Sequence, residues 1–212
     1  MTSTRDRPLR ADARRNRELL VEAAREVFTE RGLQAPLDEV ARRAGVSIGT
    51  LYNRFPSRAE LVDAAMADRV HELVRLAERA LEHPDPWQAL VEHLTAVAEL
   101  QAADRGFTDV CVHSLPPDSA TERAKERGHE LFAALVERAH RAGVLRADIE
   151  LTDLGLLVWA VVGATDGVRA AAPHAWRRHL AVLLDGLRAD AAHPLPGAAL
   201  DPEVVRAAMT FR

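Results

Sequence analysis

Two Glu-x-x-His pairs, Glu126 with His129 and Glu137 with His140, are the side chains whose spacing best suits a metal. The same i, i+3 arrangement supplies ligands in di-iron helix bundles. Both pairs fall on one predicted helix, eleven residues apart, which is about 16 Å at 1.5 Å per residue. Two-metal chemistry needs ions about 3.5–4 Å apart, so the pairs cannot share one centre. The chain has no His-Glu-x-x-His, no Cys-x-x-Cys and no Gly-rich phosphate loop. It also lacks a strand-turn-helix nucleophile elbow. No catalytic residue and no cofactor is expected, and an enzyme built on a helical bundle is only the rival class. Cys111, the single cysteine, reads as a small buried hydrophobe. A redox-sensing thiol and a metal-sensing histidine set remain the alternatives.

A different cluster carries a binding chemistry. Ser47, Ile48, Gly49, Thr50, Tyr52, Asn53 and Arg54 follow the turn Gly45-Val46-Ser47, and Arg58 follows shortly after. Short polar side chains on an exposed helix can reach base edges, and arginines can hold phosphates. The charge distribution agrees. The formal net charge is −4, yet residues 1–58 hold 12 Arg against 8 Asp and Glu, while the remainder holds 16 Lys and Arg against 24 Asp and Glu. A basic segment joined to an acidic one suggests a nucleic-acid-binding end.

The elements that position this cluster follow from periodicity. A helix over residues 12–31 carries an apolar stripe from Leu19, Leu20, Ala23, Ala24, Val27 and Phe28. A second spans 36–44. Gly45 breaks it, Ser47 caps a third helix over 48–54, and Pro56 closes that one. Ser57 and Glu60 form a capping box that opens a long helix to about residue 81. Val40, Ala41, Ala44, Val46, Leu51 and Phe55 would pack the helix-turn-helix against the first helix.

The run from Leu37 to Arg58, with its Gly49-Thr50-Leu51-Tyr52 core and Phe55 beyond, resembles the DNA-binding domain of the TetR family of regulators. The resemblance covers about residues 12–65. It implies that the third helix enters the major groove of operator DNA. Thr50 and Asn53 would then read bases. Tyr52, Arg54 and Arg58 would clamp phosphates, with Arg42, Arg43 and the N-terminal arginines as further backbone contacts. The position of Arg54 is often histidine in the family, so Arg54 can also be imagined on a guanine. Repression, relieved by a small molecule, is the implied mode of action.

Past residue 58 the pattern gives further helices at about 87–103, 107–113, 119–142, 151–171 and 174–189. The expected fold is therefore all-α. It comprises a basic arm and helix-turn-helix domain (1–58), an effector-binding and dimerisation domain (59–190) and a partly disordered tail (191–212). About nine helices are expected in all. Residues 1–11 are expected to be disordered, and a frayed turn is expected over 202–209. The resemblance implies an effector pocket among the fourth to eighth helices. Candidate lining residues are Met66, Trp87, Leu90, Val91, Leu94, Phe107, Val110, Cys111, Phe132, Leu135, Trp159 and Val162. His71, His93, His113 and His129 are candidate polar contacts. The eighth helix is apolar nearly all round and the ninth has one apolar stripe. Paired with their symmetry mates, they would form a four-helix dimer interface. The longest apolar stretch, 154–164, is too short to cross a bilayer. One cysteine and no apolar leader fit a cytoplasmic protein.

Overall fold

Good helix formers dominate the composition, and the chain folds accordingly. The computed structural model describes residues 6–208. It contains α1 (Asp6–Arg31), α2 (Leu37–Arg43), α3 (Ile48–Arg54), α4 (Arg58–Glu82) and α5 (Pro86–Ala103). These are followed by α6 (Arg105–Val112), α7 (Ala120–Arg141), α8 (Leu151–Asp166), α9 (Ala175–Gly186) and α10 (Pro202–Ala208). A 3-10 turn at Ala189–Ala191 follows α9. No β-strand forms among the described residues.

Side-chain caps set several of these boundaries. Ser47 Oγ accepts from the Thr50 amide at 3.1 Å and starts α3. Ser57 Oγ accepts from the Glu60 amide at 3.2 Å and starts α4. Asp85, Asp104 and Ser119 cap α5, α6 and α7 in the same way. Three boundaries differ most from the sequence expectation, while α9 ends at Gly186, about three residues early. Residues 6–11 are helical, because Leu9, Arg10 and Ala11 extend α1 and Pro8 falls in its first turn, where no intrahelical N–H bond is lost. Helix α8 stops at Asp166, five residues early. Gly167 is its C-cap, and the chain turns before Pro173. The tail forms α10 up to Ala208, and Met209 lies outside the described residues. Residues 1–5 of the expected basic arm also lie outside them.

Two large cores hold the layers together. The first gathers Leu20, Val27 and Phe28 of α1, Val40 of α2 and Leu51 of α3. It adds Phe55 and then Leu61, Met66 and Val70 of α4, and takes in Phe107 and Val110 of α6. The second joins α5, α7, α8 and α9 through Trp87, Leu90, Val136, Ala139, Leu154, Val158, Trp176 and Leu180. Helix α4 passes from the first core to a smaller one with α5 and α7 around Ala77, Ala80 and Leu135. Thus the first core runs past residue 58 and draws α6 in.

Helix α6 presses hard on α1. A Cβ on Gly106 would lie 3.0 Å from both the backbone oxygen and the Cβ of Phe28. Phe28 is fully buried, so neither atom can give way. Gly106→Ala should therefore destabilise the fold by about 1–3 kcal/mol, read as a lower urea midpoint with an unchanged slope.

Candidate DNA-reading helix and effector cavity

Helix α3 is anchored on one side and exposed on the other. Leu51 is fully buried and Phe55 nearly so, which fixes the helix on the first core. Ile48 and Tyr52 are 40% and 51% exposed, and Gly49, Asn53 and Arg54 face solvent beside them. A Cβ on Gly49 would meet only Ser47 Oγ, at 3.8 Å. Its missing side chain thus leaves room outward rather than inward. Residues 45–49 also spell Gly-x-Ser-x-Gly, but here Ser47 sits between two helices. Its hydroxyl caps α3 and pairs with Thr50 Oγ1 at 2.9 Å. Gly45 takes φ +69 in the turn, a conformation few other residues adopt without strain.

The arginines divide into two sets. Arg58 Nη1 donates to the carbonyls of Leu33 and Ala35, both at 2.7 Å. Here it braces the α1–α2 turn, whereas the resemblance put it on a phosphate. Arg43 makes two bonds to Glu30, at 2.8 and 3.0 Å, and that contact lowers the Glu30 carboxyl below its usual range. Arg31 pairs with Glu39, and Arg17 stacks over the Phe55 ring at 5.0 Å. Arg42 stays 76% exposed, 3.8 Å from Glu39. Arg54 and Arg42 are thus the arginines on this face with most room to meet a phosphate.

A cavity of about 280 Å³ opens between α5, α7 and α8. Leu73 of α4, Cys111 and Val112 of α6, and Val205 of α10 complete its wall. Of the expected lining, Leu94, Cys111, Phe132 and Trp159 meet there, joined by His93 and His129. The others lie elsewhere. Met66, Phe107 and Val110 belong to the first core. Trp87, Leu90, Val91 and Val162 pack in the second, and Leu135 packs against α4 and α5. His71 and His113 bond backbone carbonyls of their own helices, at Ala67 and Asp109. Sequence reasoning missed Val97, Gln101, Lys125, Gly128, Thr152 and Gly155 on the wall. A usable signal was present: Gln101 continues the apolar face of Leu94 and Val97 at i, i+3, i+7.

The wall is mostly apolar and electrically quiet. Lys125 Nζ lies 3.0 Å from the Glu122 carboxylate and 2.8 Å from the His113 carbonyl. Burial pushes the Cys111 thiol up to about 11, against hydrogen bonding from Gln101 and the charge of Lys125. At neutral pH it is therefore a thiol, not the thiolate that redox sensing needs. Among the described residues no three His, Cys, Asp or Glu side chains group to hold a metal. Among the described residues no helix is long and apolar enough to cross a membrane.

Helix α6 links this cavity to the head. Asp109 Oδ2 accepts from the Leu33 amide at 2.7 Å. Arg105 donates to the Glu30 carbonyl at 3.1 Å and pairs with Asp166 of α8 at 2.9 Å. Cys111 and Val112, two or three residues beyond Asp109, line the cavity.

Burial lowers the His93 imidazole from 6.5 to about 4. The folded protein therefore resists a proton that the unfolded chain accepts. Stability should be flat above about pH 6.5 and fall between 6.5 and 4, by up to about 3 kcal/mol from this group. Urea unfolding at pH 7 and pH 5 checks this. His93→Leu should shrink the difference between the two pH values.

Comparison with known proteins agrees with this geometry. Residues 20–65 match the model for bacterial regulatory proteins of the tetR family. Residues 85–189 match the C-terminal domain model for SbtR-like transcriptional regulators. The probable regulator ArpR of Pseudomonas putida is 36% identical over 175 residues, spanning 76% of this chain and 83% of that one. The repressor BepR of Brucella suis is 29% identical over 170 residues, 74% of this chain and 81% of that one. The crystal structure of the TetR regulator SCO0520 from Streptomyces coelicolor aligns with a TM-score of 0.51 and 31% identity. That alignment covers 81% of this chain and 98% of the other. With the helix-turn-helix seated on the first core and a helical body behind it, the chain belongs to the TetR family of DNA-binding transcriptional regulators.

Proposed function

We propose that this protein is a homodimeric repressor that a small molecule releases from its operator, acting in the cytoplasm and without catalytic activity. The observation that carries the reading is α6: one helix supplies both a wall of the cavity and the Asp109 bond to the head. A ligand against Cys111 and Val112 bears on α6, and α6 bears on the turn after α1. Ligand binding then favours one spacing of the two heads over the other, which is all that release requires. The repressor name of BepR and the resorcinol in the RolR structure, a fold relative at 21% identity, accord with this assignment.

On DNA, α3 would lie in the major groove, with Thr50 and Asn53 reading bases and Tyr52 and Arg54 on phosphates. Ser47, Ile48 and Gly49 would line the approach. Operator selection with the purified protein at stated salt identifies the site. Asn53→Ala should then cost about 1–3 kcal/mol and relax preference at one base position. Arg54→Ala should weaken all sequences alike and reduce the salt slope by about 1. The opposite pattern would exchange the two roles.

The dimer would form through α8 and α9. Their outer face exposes Trp159 of α8 and Val182 of α9 at 40% and 64%, with Val168 of the intervening turn at 51%, flanked by small exposed Ala160, Gly163 and Ala164. Small residues let helices approach closely, and two heads are needed to span half-sites about 34 Å apart. Val182→Glu should yield a folded monomer by sedimentation velocity and abolish tight operator binding. A dimer that persists would move the interface elsewhere.

A further inference from the structure

Two side chains on the cavity wall stand out chemically. His93 and Gln101 are 3% and 5% exposed, and both line the cavity. Each holds a buried polar atom with no hydrogen-bond partner, His93 Nδ1 and Gln101 Oε1. Buried polar groups are normally paired, and an orphan points to a missing partner. Eight residues separate the two on α5, which is about 12 Å of helix. Leu94 and Val97 lie between them on the same wall.

The facing helix repeats this polarity. His93 packs on the Phe132 ring at 5.0 Å between centroids. Gln101 lies beside Cys111 on the wall, and the Cys111 thiol also feels the charge of Lys125. Phe132 and Lys125 both belong to α7 and run opposite to α5. Along α5 and α7 the wall thus carries His93 with Phe132 at one point and Gln101 with Cys111 further along. The Lys125 ammonium is already matched by Glu122 at 3.0 Å, and burial keeps His93 uncharged at neutral pH. An anionic ligand would have to compete with Glu122 for Lys125, and a cationic one would meet no unmatched carboxylate on the wall.

We propose that the cavity takes an elongated, uncharged, largely apolar molecule with a hydrogen-bonding group at each end, a donor to Gln101 Oε1 and a partner for His93 Nδ1. This deepens the effector reading above and rests on it. A straight ten-carbon chain provides the probes: decanediol with a hydroxyl at each end, decanol with one, and decanoate and decylamine with a charge. Calorimetric titration of the full-length protein at neutral pH should rank the diol first. It should bind roughly tenfold or more tighter than either charged probe, with decanol between; tenfold corresponds to about one hydrogen bond.

Gln101→Leu and His93→Leu remove the orphaned atoms and leave similar apolar volume, so both should fold and melt no lower than the parent. Each should reduce diol affinity to that of decanol. Decanoate or decylamine matching the diol, variants that leave the diol unchanged, or no binding by any probe would each overturn the proposal. Operator release, measured with the selected DNA site, separates the two levels of inference. A diol that binds with the expected selectivity yet leaves operator affinity unchanged removes the effector reading and keeps the ligand class. Release by decanoate but not by the diol does the reverse.

Discussion

The backbone amide of Leu33 donates to the Asp109 carboxylate at 2.7 Å, tying the DNA-binding head to α6. Much of the remaining geometry hangs on this contact. Gly32 adopts φ +80 beside it, and a Cβ there would come 2.5 Å from Asp109 Oδ2. The turn after α1 is therefore closed by a residue with no side chain against a charged acceptor, a stronger arrangement than a neutral bond. Arg58 binds the same turn from the other side, through the Leu33 and Ala35 carbonyls. Phe28, one turn back, carries Gly106 on its backbone. Head and body are thus pinned at this turn as well as along α4, and a displacement of α6 bears directly on the end of α1.

The pinning also changes the meaning of the basic N-terminal segment. Its arginine excess suggests a broad DNA-facing charge. Arg25, Arg31 and Arg43 pair with acidic residues of this chain, while Arg58 holds the turn carbonyls. These pairs lie at the surface, where ion pairs add little stability, but they orient side chains and thin the field. What remains outward on α3 carries a single charge among uncharged side chains: Ile48, Gly49, Tyr52, Asn53 and Arg54. Recognition then depends on shape and hydrogen bonding at a few positions more than on total charge.

The cavity follows from an imbalance in packing. Gly155 lines it from α8, and a Cβ there would meet nothing within 4 Å. Gly128 lines it from α7, where a Cβ would come into ordinary contact with Leu73 and Val74 of α4. Trp87, Leu90 and Met66 are large enough to serve a pocket, yet each fills a core instead. The wall residues are smaller or polar, and two of them retain unpaired atoms.

Much of the head was legible in the sequence, because its determinants are local. The apolar stripe of α1, the Ser47 and Ser57 caps and the Gly45 turn each act within a few residues, and they fix where α3 begins and which side of it is buried. The number and order of the body helices were legible for the same reason, although α8 ended early and α10 was only half seen. The sequence alone determined an all-helical chain with a helix-turn-helix at one end. Tertiary structure decided which arginines are spent inside the protein, which aromatic residues are core and which are wall, and that α6 connects cavity to head. Those outcomes rest on contacts such as Leu33 with Asp109, 76 residues apart, and Arg58 with Leu33 across two turns of chain. A period of 3.6 residues shows which face of a helix is apolar, but not which neighbour that face will meet.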